Sequence, residues 1–452
     1  MDSKTVNPMG VRPIFPLILS MSLPAMMSML VQALYNVVDS YFVAKVSENA
    51  LTAVSLVFPV QNLLIAVAIG TGVGLNSLIS RRLGENRPED ARRVASHGLL
   101  LAVMNWLIFA AIGLFFSRPF LSSFTENPEI IEMGVDYMSI VCIASIGLCM
   151  EGCIEKSLQA TGNMIYPMIS QLLGAITNII FDPIFIFGLL GFPRMGVAGA
   201  AIATVMGQIF AMFFLFFILA FREKVLRIDL RKFKFSGSTI REIYSVGFPS
   251  ILMQSIGSLM TVGMNAILIR FTETAVAFFG VYFKLQSFVF MPVFGLNQGV
   301  MPIVGYNYGA KKRHRVTGAL RAGAIIAACI MAAGMLVFCC IPGTLLSLFE
   351  ATDTMMAIGV PALRIISTCF IPAALGIILT TAFQALGRGF NSLLISVLRQ
   401  LVVLLPAAFI LAQISLDAVW FSFPIAEVGS LLASLLLYRR LYRNYIKVLP
   451  DE

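Results

Sequence analysis

Six carboxylates stand inside runs that are otherwise apolar: Asp39, Asp136, Glu151, Glu155, Asp182 and Glu427. A charge in such surroundings is costly unless it is paired or used, so the chemistry of this chain is sought there first. Their spacing sorts them. Gln32, Tyr35, Asn36 and Asp39 fall at helical intervals and make one polar stripe. Asn178 and Asp182 are an i, i+4 pair directly ahead of Pro183. Glu151, Glu155 and Gln159 form a third stripe, in which Lys156 is placed to neutralise one acid. Asp136 lies near the end of its run and reads as interfacial. Glu427, with Ser422 and Ser430 nearby, reads equally well as a hydrogen-bonded structural residue and as a transport group.

Two carboxylates in a low-dielectric cavity repel each other, and a bound proton or cation relieves the repulsion. Asp39, Asp182, Asn178 and a hydroxyl such as that of Thr204 would equally offer Na⁺ the all-oxygen cage that hard cations prefer. The sequence leaves H⁺ and Na⁺ both open. Covalent or metal chemistry has little support. His97 and His314 lie beside basic loops, far from the seven cysteines. Cys142, Cys149, Cys153, Cys329, Cys339, Cys340 and Cys369 all fall in apolar runs and are expected to be small buried hydrophobes. No G-x-x-x-x-G-K-[ST] loop is present to hold ATP. The Gly70-x-Gly72-x-Gly74 run reads instead as a place where helices approach closely. The chain is therefore read as no enzyme and as needing no cofactor, with an ion gradient as its energy source.

These residues must be held by membrane helices. Of 452 residues, 58% are apolar and 12% charged, against about 25% charged in ordinary soluble domains. Mean hydropathy is +0.89. That balance excludes a soluble enzyme, a disordered chain and a nucleic-acid binder. A helical span takes roughly 20 apolar residues. Such runs fall at 14–43, 51–80, 94–117, 133–160, 165–192, 196–221, 242–269, 275–305, 316–348, 355–386, 391–413 and 418–438. The first is too long for a signal peptide and lacks an A-x-A cleavage site. Taking alternate loops as one side puts 24 Lys and Arg there and four on the other. The positive-inside rule then places both termini in the cytoplasm, in the cell membrane, and makes the number of spans even.

The chain also repeats itself at an offset of 225 residues. Pro24 pairs with Pro249, Gln61 with Gln286, Gly70 with Gly295, Gly74 with Gly299, Gly84 with Gly309, and L-Q-A-T-G at 158–162 with F-Q-A-L-G at 383–387. The offset covers an even number of spans, so both halves insert the same way round. The expected fold is an all-α integral membrane protein. Its twelve transmembrane helices form two six-helix bundles related by a pseudo-two-fold along the membrane normal. Residues 1–221 make an N-terminal lobe, 222–241 a cytoplasmic linker, and 242–452 a C-terminal lobe. The repeat also supplies an internal control, since Asp39 maps to Met264, Asp182 to Ala407, Glu151 to Gly376 and Glu155 to Thr380. The second copy builds the scaffold without these acids, which points to function rather than folding. Lys284 and Arg364 are expected to pair with carbonyls or snorkel, with no role in a site.

Together the 6+6 repeat, Y-N-V-V-D-S-Y-F-V at 35–43, the Q-A-x-G pair and T-N-I-I-F-D-P-I-F-I at 177–186 resemble the multidrug and toxic compound extrusion (MATE) family over essentially the whole chain. Without acids inside spans 7, 8 and 10, the pattern is closer to the DinF-like bacterial branch with its MepA-type pumps than to the NorM-like branch. The resemblance implies a monomer in the lipid bilayer that exports small amphipathic, often cationic drugs or metabolites against H⁺ or Na⁺ by alternating access. It implies that Asp39, Asn178, Asp182 and Thr204 bind and couple the cation, and that Gln32, Tyr35 and Asn36 line the substrate cavity. Pro24 would be a hinge, and Glu155 with Gln159 an additional polar cavity. The alternative is a flippase for a lipid-linked substrate of the same superfamily, which would favour many basic residues in its cleft and often two more spans.

Overall fold

The computed structural model describes residues 7–226 and 233–450, and among these every regular element is helical. In the first half these are α1 (Ile14–Ala44), α2 (Glu48–Gly84), α3 (Pro88–Phe115), α4 (Ser117–Ser122), α5 (Pro128–Ile143), α6 (Ile146–Ala160), α7 (Ile165–Phe187) and α8 (Val197–Phe221). The second half holds α9 (Gly237–Leu268), α10 (Glu273–Gly309), α11 (Arg313–Cys340), α12 (Pro342–Ser347), α13 (Asp353–Ser367), α14 (Phe370–Ala385), α15 (Gly389–Val397), α16 (Leu405–Leu411), α17 (Leu416–Val419) and α18 (Ser422–Leu441). A π-helical stretch, Leu398–Leu404, joins α15 to α16, and another, Tyr442–Ile446, extends α18. Among the described residues ten helices are long and apolar enough to cross a bilayer, and up to twelve spans result if the bent pairs α5–α6 (42°) and α13–α14 (50°) each count as one. The protein is thus a multi-pass membrane protein with ten to twelve candidate spans.

The 225-residue offset governs helix ends as well as residue identities. It carries α2 onto α10, α3 onto α11 and α4 onto α12 without a residue's discrepancy, and the start of α8 onto the start of α18. Local chemistry repeats with it. Ser47 caps α2 through Ala50 N, and Thr272 caps α10 through Thr274 N. The turns that follow these helices hold Asn86 and Lys311 at φ of 59° and 58°. At the bends, one residue out of that register, Ser145 Oγ donates to Cys142 O and Cys369 Sγ to Ile366 O, a back-bonding that favours a break. The core stripe repeats too: Leu75, Leu78 and Ile79 on α2, and Val300, Ile303 and Val304 on α10, are at most 2% exposed.

By contacts the chain forms two compact units, 27–251 and 1–26 with 252–452. The divisions fall inside α1 and α9, two residues past Pro24 and Pro249, whereas the sequence reading divides the lobes at 222–241. The cause lies in two glycines. In the first unit, Gly74 of α2 sits so close to the first turns of α9 that a Cβ would overlap the Ile243 carbonyl oxygen. In the second, its repeat mate Gly299 of α10 meets Ser22 of α1 in the same manner. The opening turns of α1 and α9 therefore pack on the helices of the other repeat. The segments leading into them are pinned likewise. Arg315 of α11 donates to Met9 O (3.0 Å) and Arg12 O (2.7 Å), and Lys312 donates to Gly10 O. On α3, Arg92 donates to Val225 O (2.8 Å), and buried His97 accepts from Ser236 N (2.9 Å).

This packing predicts that Gly74→Ala costs about 1–3 kcal/mol, since backbone on both sides must move apart. Gly280→Ala, whose Cβ meets nothing within 4 Å, is the matched control. Thermal unfolding in detergent should show a lower Tm for the first variant and no loss for the second.

Candidate functional site

The site is assembled on α7 and α8, which pack against each other along their lengths. Their backbones touch where Gly207 of α8 faces Gly174 of α7, so close that a Cβ would stand 2.6 Å from the Gly174 oxygen. That approach lets short side chains meet across the helix pair. Asp182 is fully buried, Asn178 is 2% exposed and Thr204 is 6% exposed. Asn178 bridges the other two. With its amide nitrogen toward the carboxylate it donates to Asp182 Oδ2 at 2.7 Å, and its oxygen accepts from the Thr204 hydroxyl at 3.1 Å. Pro183, inside α7, has no N–H to give the Ile179 carbonyl four residues earlier. Carboxylate, amide and hydroxyl thus converge in a buried, oxygen-rich cluster, the donor set that suits a proton or a hard monovalent cation.

Three of the four residues expected to hold the cation are therefore together. The fourth, Asp39, lies on α1, but its side chain and that of Asn36 fall outside the described residues. On the same helix Gln32 is exposed and Tyr35 half-buried, and Pro24 lies within α1.

Glu155 and Gln159 occupy a different place, in a paired cluster on α6. Lys156 Nζ is 3.1 Å from Glu155 Oε1 and 3.0 Å from Gln159 Oε1, and Gln159 Nε2 donates to Glu155 Oε1 at 2.8 Å. Gln171 of α7 donates to the other Glu155 oxygen at 3.1 Å. Glu151, one turn away, accepts from Ser170 Oγ at 3.1 Å. The lysine serves as the counter-ion, as its position in the stripe implies.

Two expectations change. Cys329 and Cys340 are exposed and Cys339 is half-buried rather than buried, because an apolar span can turn a small thiol outward as readily as inward. Among the described residues Ser422 Oγ has no hydrogen-bond partner, and Ser430 Oγ donates to the Glu427 backbone carbonyl, so neither hydroxyl serves the Glu427 carboxylate. Its partner is Arg399, at 3.4 Å on the π-helical stretch. Arg399 escaped the sequence reading although a guanidinium inside the 391–413 run was signal enough. Arg364 donates to Cys339 O at 3.2 Å, the carbonyl pairing anticipated for it, and Asp136 is exposed.

The MatE family model matches the chain twice, over residues 24–184 and 249–410, with starts separated by the repeat offset. The Multidrug export protein MepA of Staphylococcus haemolyticus (strain JCSC1435) is 28% identical over 430 residues, covering 94% of this chain and 93% of its own. A FAD transporter of Shewanella oneidensis is 27% identical over 399 residues, 88% of each chain. An outward-facing structure of a multidrug resistance MATE family transporter of the MOP superfamily aligns with a TM-score of 0.93 at 27% identity, covering 99% of both chains.

Proposed function

From the premise that the chain belongs to the MatE family of membrane transporters, we propose that it is a cation-coupled multidrug efflux antiporter of the cytoplasmic membrane, with both termini in the cytoplasm. It exports amphipathic, often cationic compounds by alternating access and takes H⁺ or Na⁺ in return. The observation that carries this reading is the buried Asp182–Asn178–Thr204 cluster, whose repeat mates are Ala407, Val403 and Gly429. A scaffold needing that cluster to fold would need it twice. The names of the Staphylococcus relative and of the outward-facing neighbour support the drug-export part.

In the mechanism, a cation entering the cluster neutralises Asp182, and with it the penalty for closing protein around a charge. Asn178 orients the carboxylate and passes on to Thr204 the hydrogen bond that holds the two helices in register. The cation-loaded state is then the one able to change access, and a potential of 100 mV contributes about 2.3 kcal/mol per charge moved. The lobes expected from the repeat, 1–221 and 242–452, would be the moving bodies, joined by 222–241.

Reconstituted vesicles loaded with ethidium test the reading. An imposed pH gradient or an imposed Na⁺ gradient, applied separately, should drive dye movement, and one of the two should raise the rate at least about tenfold over no gradient. Indifference to both gradients would leave the coupled-export reading without support.

A further inference from the structure

The second copy of the α7–α8 pair has a charged site of its own. Arg399 lies on the π-helical stretch Leu398–Leu404, and Glu427 on α18. Through the repeat offset they stand at the places of Gly174 and Ile202, within about a turn of Asn178 and Thr204. One copy of the helix pair thus holds an acid with an amide, and the other holds a cation with its counter-ion.

Three features argue that this pair is more than packing. Charges on spanning helices are expensive against lipid, so they face the protein interior or a water-filled cavity. Both side chains nevertheless keep access, at 30% for Arg399 and 15% for Glu427. The π-helical geometry is a local departure that recurs at functional sites, and the first half has a regular helix at the matching place. The contact itself is loose. At 3.4 Å it lies at the far end of the hydrogen-bond range, and among the described residues the guanidinium has no other acceptor for its five donors. Two neighbouring polar groups are engaged elsewhere: Gln400 Nε2 donates to Ser396 Oγ, and Ser430 Oγ to the Glu427 backbone carbonyl.

Resting on the export reading above, we propose that Arg399 and Glu427 form a substrate-binding site for zwitterionic compounds. Arg399 takes the anionic group and Glu427, its resting counter-ion, turns to the cationic group. A carboxylate can meet the guanidinium through two parallel bonds, which the resting contact does not make. A purely cationic ligand that captured Glu427 would leave Arg399 uncompensated, and a purely anionic one would do the same to Glu427. A zwitterion leaves neither charge alone.

The test compares rhodamine B, which carries a carboxylate, with its ethyl ester, which is a cation only, by fluorescence polarisation on the purified full-length protein. The wild type should bind both. Arg399→Gln should weaken rhodamine B at least about tenfold and the ester less than about twofold, with Arg399→Lys falling between because it keeps the charge but loses the fork. Arg399→Gln strands Glu427, so the double variant Arg399→Gln/Glu427→Gln, which leaves no lone charge, is measured beside it and should also discriminate against rhodamine B. Equal loss of both dyes, or loss of neither, in the double variant overturns the proposal. Wild-type binding of the ester but not of rhodamine B overturns it while leaving drug export standing. Binding of neither dye removes both readings.

Discussion

Asp182→Asn should reduce drug efflux to the background of vesicles without protein, at unchanged expression and with a Tm close to that of the wild type. The substitution is nearly isosteric and keeps an oxygen in the buried cluster, so Asn178 and Thr204 retain partners. What it deletes is the ionisable group, and with it the means of taking up a cation from one side and losing it on the other. Folding should not suffer, because the repeat mate Ala407 shows the helix pair formed with no acid there. A graded series follows. Asn178→Ala leaves a buried carboxylate without its 2.7 Å donor and should cost about tenfold in rate, whereas Thr204→Val removes one neutral hydrogen bond of about 1 kcal/mol and should cost roughly fivefold. Asp39→Asn, on the sequence argument alone, joins Asp182→Asn at background. Initial rates of ethidium movement under the driving gradient measure all four. Full efflux by Asp182→Asn would move the coupling site away from α7.

How much of this was visible beforehand depends on what kind of signal each feature leaves. Residue identities mark the repeat from Pro24 to about Gly162, yet the start of α8 still maps onto that of α18 beyond that point, where few identities remain. Helix length and span thickness preserve a boundary that side chains have long abandoned. The Asn178–Asp182 pair is legible because i, i+4 spacing guarantees a shared face. Thr204, 22 residues further on, is joined to it only by the way α8 folds back, and its place in the cluster follows from the Gly207–Gly174 approach. Lys311 at positive φ leaves no mark in the sequence, since lysine does not favour that region; only the repeat to Asn86 hints at it. The exposed Cys329 and Cys340 show another limit, because an apolar run does not say which of its faces meets lipid. The placement of the unit divisions inside α1 and α9 is the least legible feature. It depends on glycines of one repeat meeting a helix of the other.

That division gives the Pro24→Ala variant its expected outcome: drug binding is kept within about twofold, but the coupling ion displaces the drug about tenfold less effectively. Both α1 and α9 pass from one compact unit to the other just beyond a proline. Neither Pro24 nor Pro249 has an N–H for the carbonyl of the serine four residues before it. Those serines are engaged in the same way, Ser20 Oγ donating to Leu17 O at 2.9 Å and Ser245 Oγ to Glu242 O at 2.7 Å, a back-bonding that eases bending. Each helix would therefore bend most easily beside the place where its packing partners change. The two differ in what lies further along. Asp39 is 15 residues past Pro24, roughly 22 Å of helix, and the corresponding position past Pro249 is Met264. If neutralising Asp39 and Asp182 lets α1 bend or straighten, ion and drug compete through the shape of that helix. Alanine at 24 restores the missing N–H and stiffens the point at which the shape changes. Alanine at 249 stiffens a helix with no acid to respond, and should alter Tm while leaving displacement as in the wild type. Fluorescence titration of bound drug with the coupling ion, on both variants and on the pair combined, reads the difference. Unchanged displacement in Pro24→Ala with transport intact would eliminate the bending model and leave direct competition at the acids, and equal weakening in both variants would assign the effect to general stiffness rather than to a route through α1.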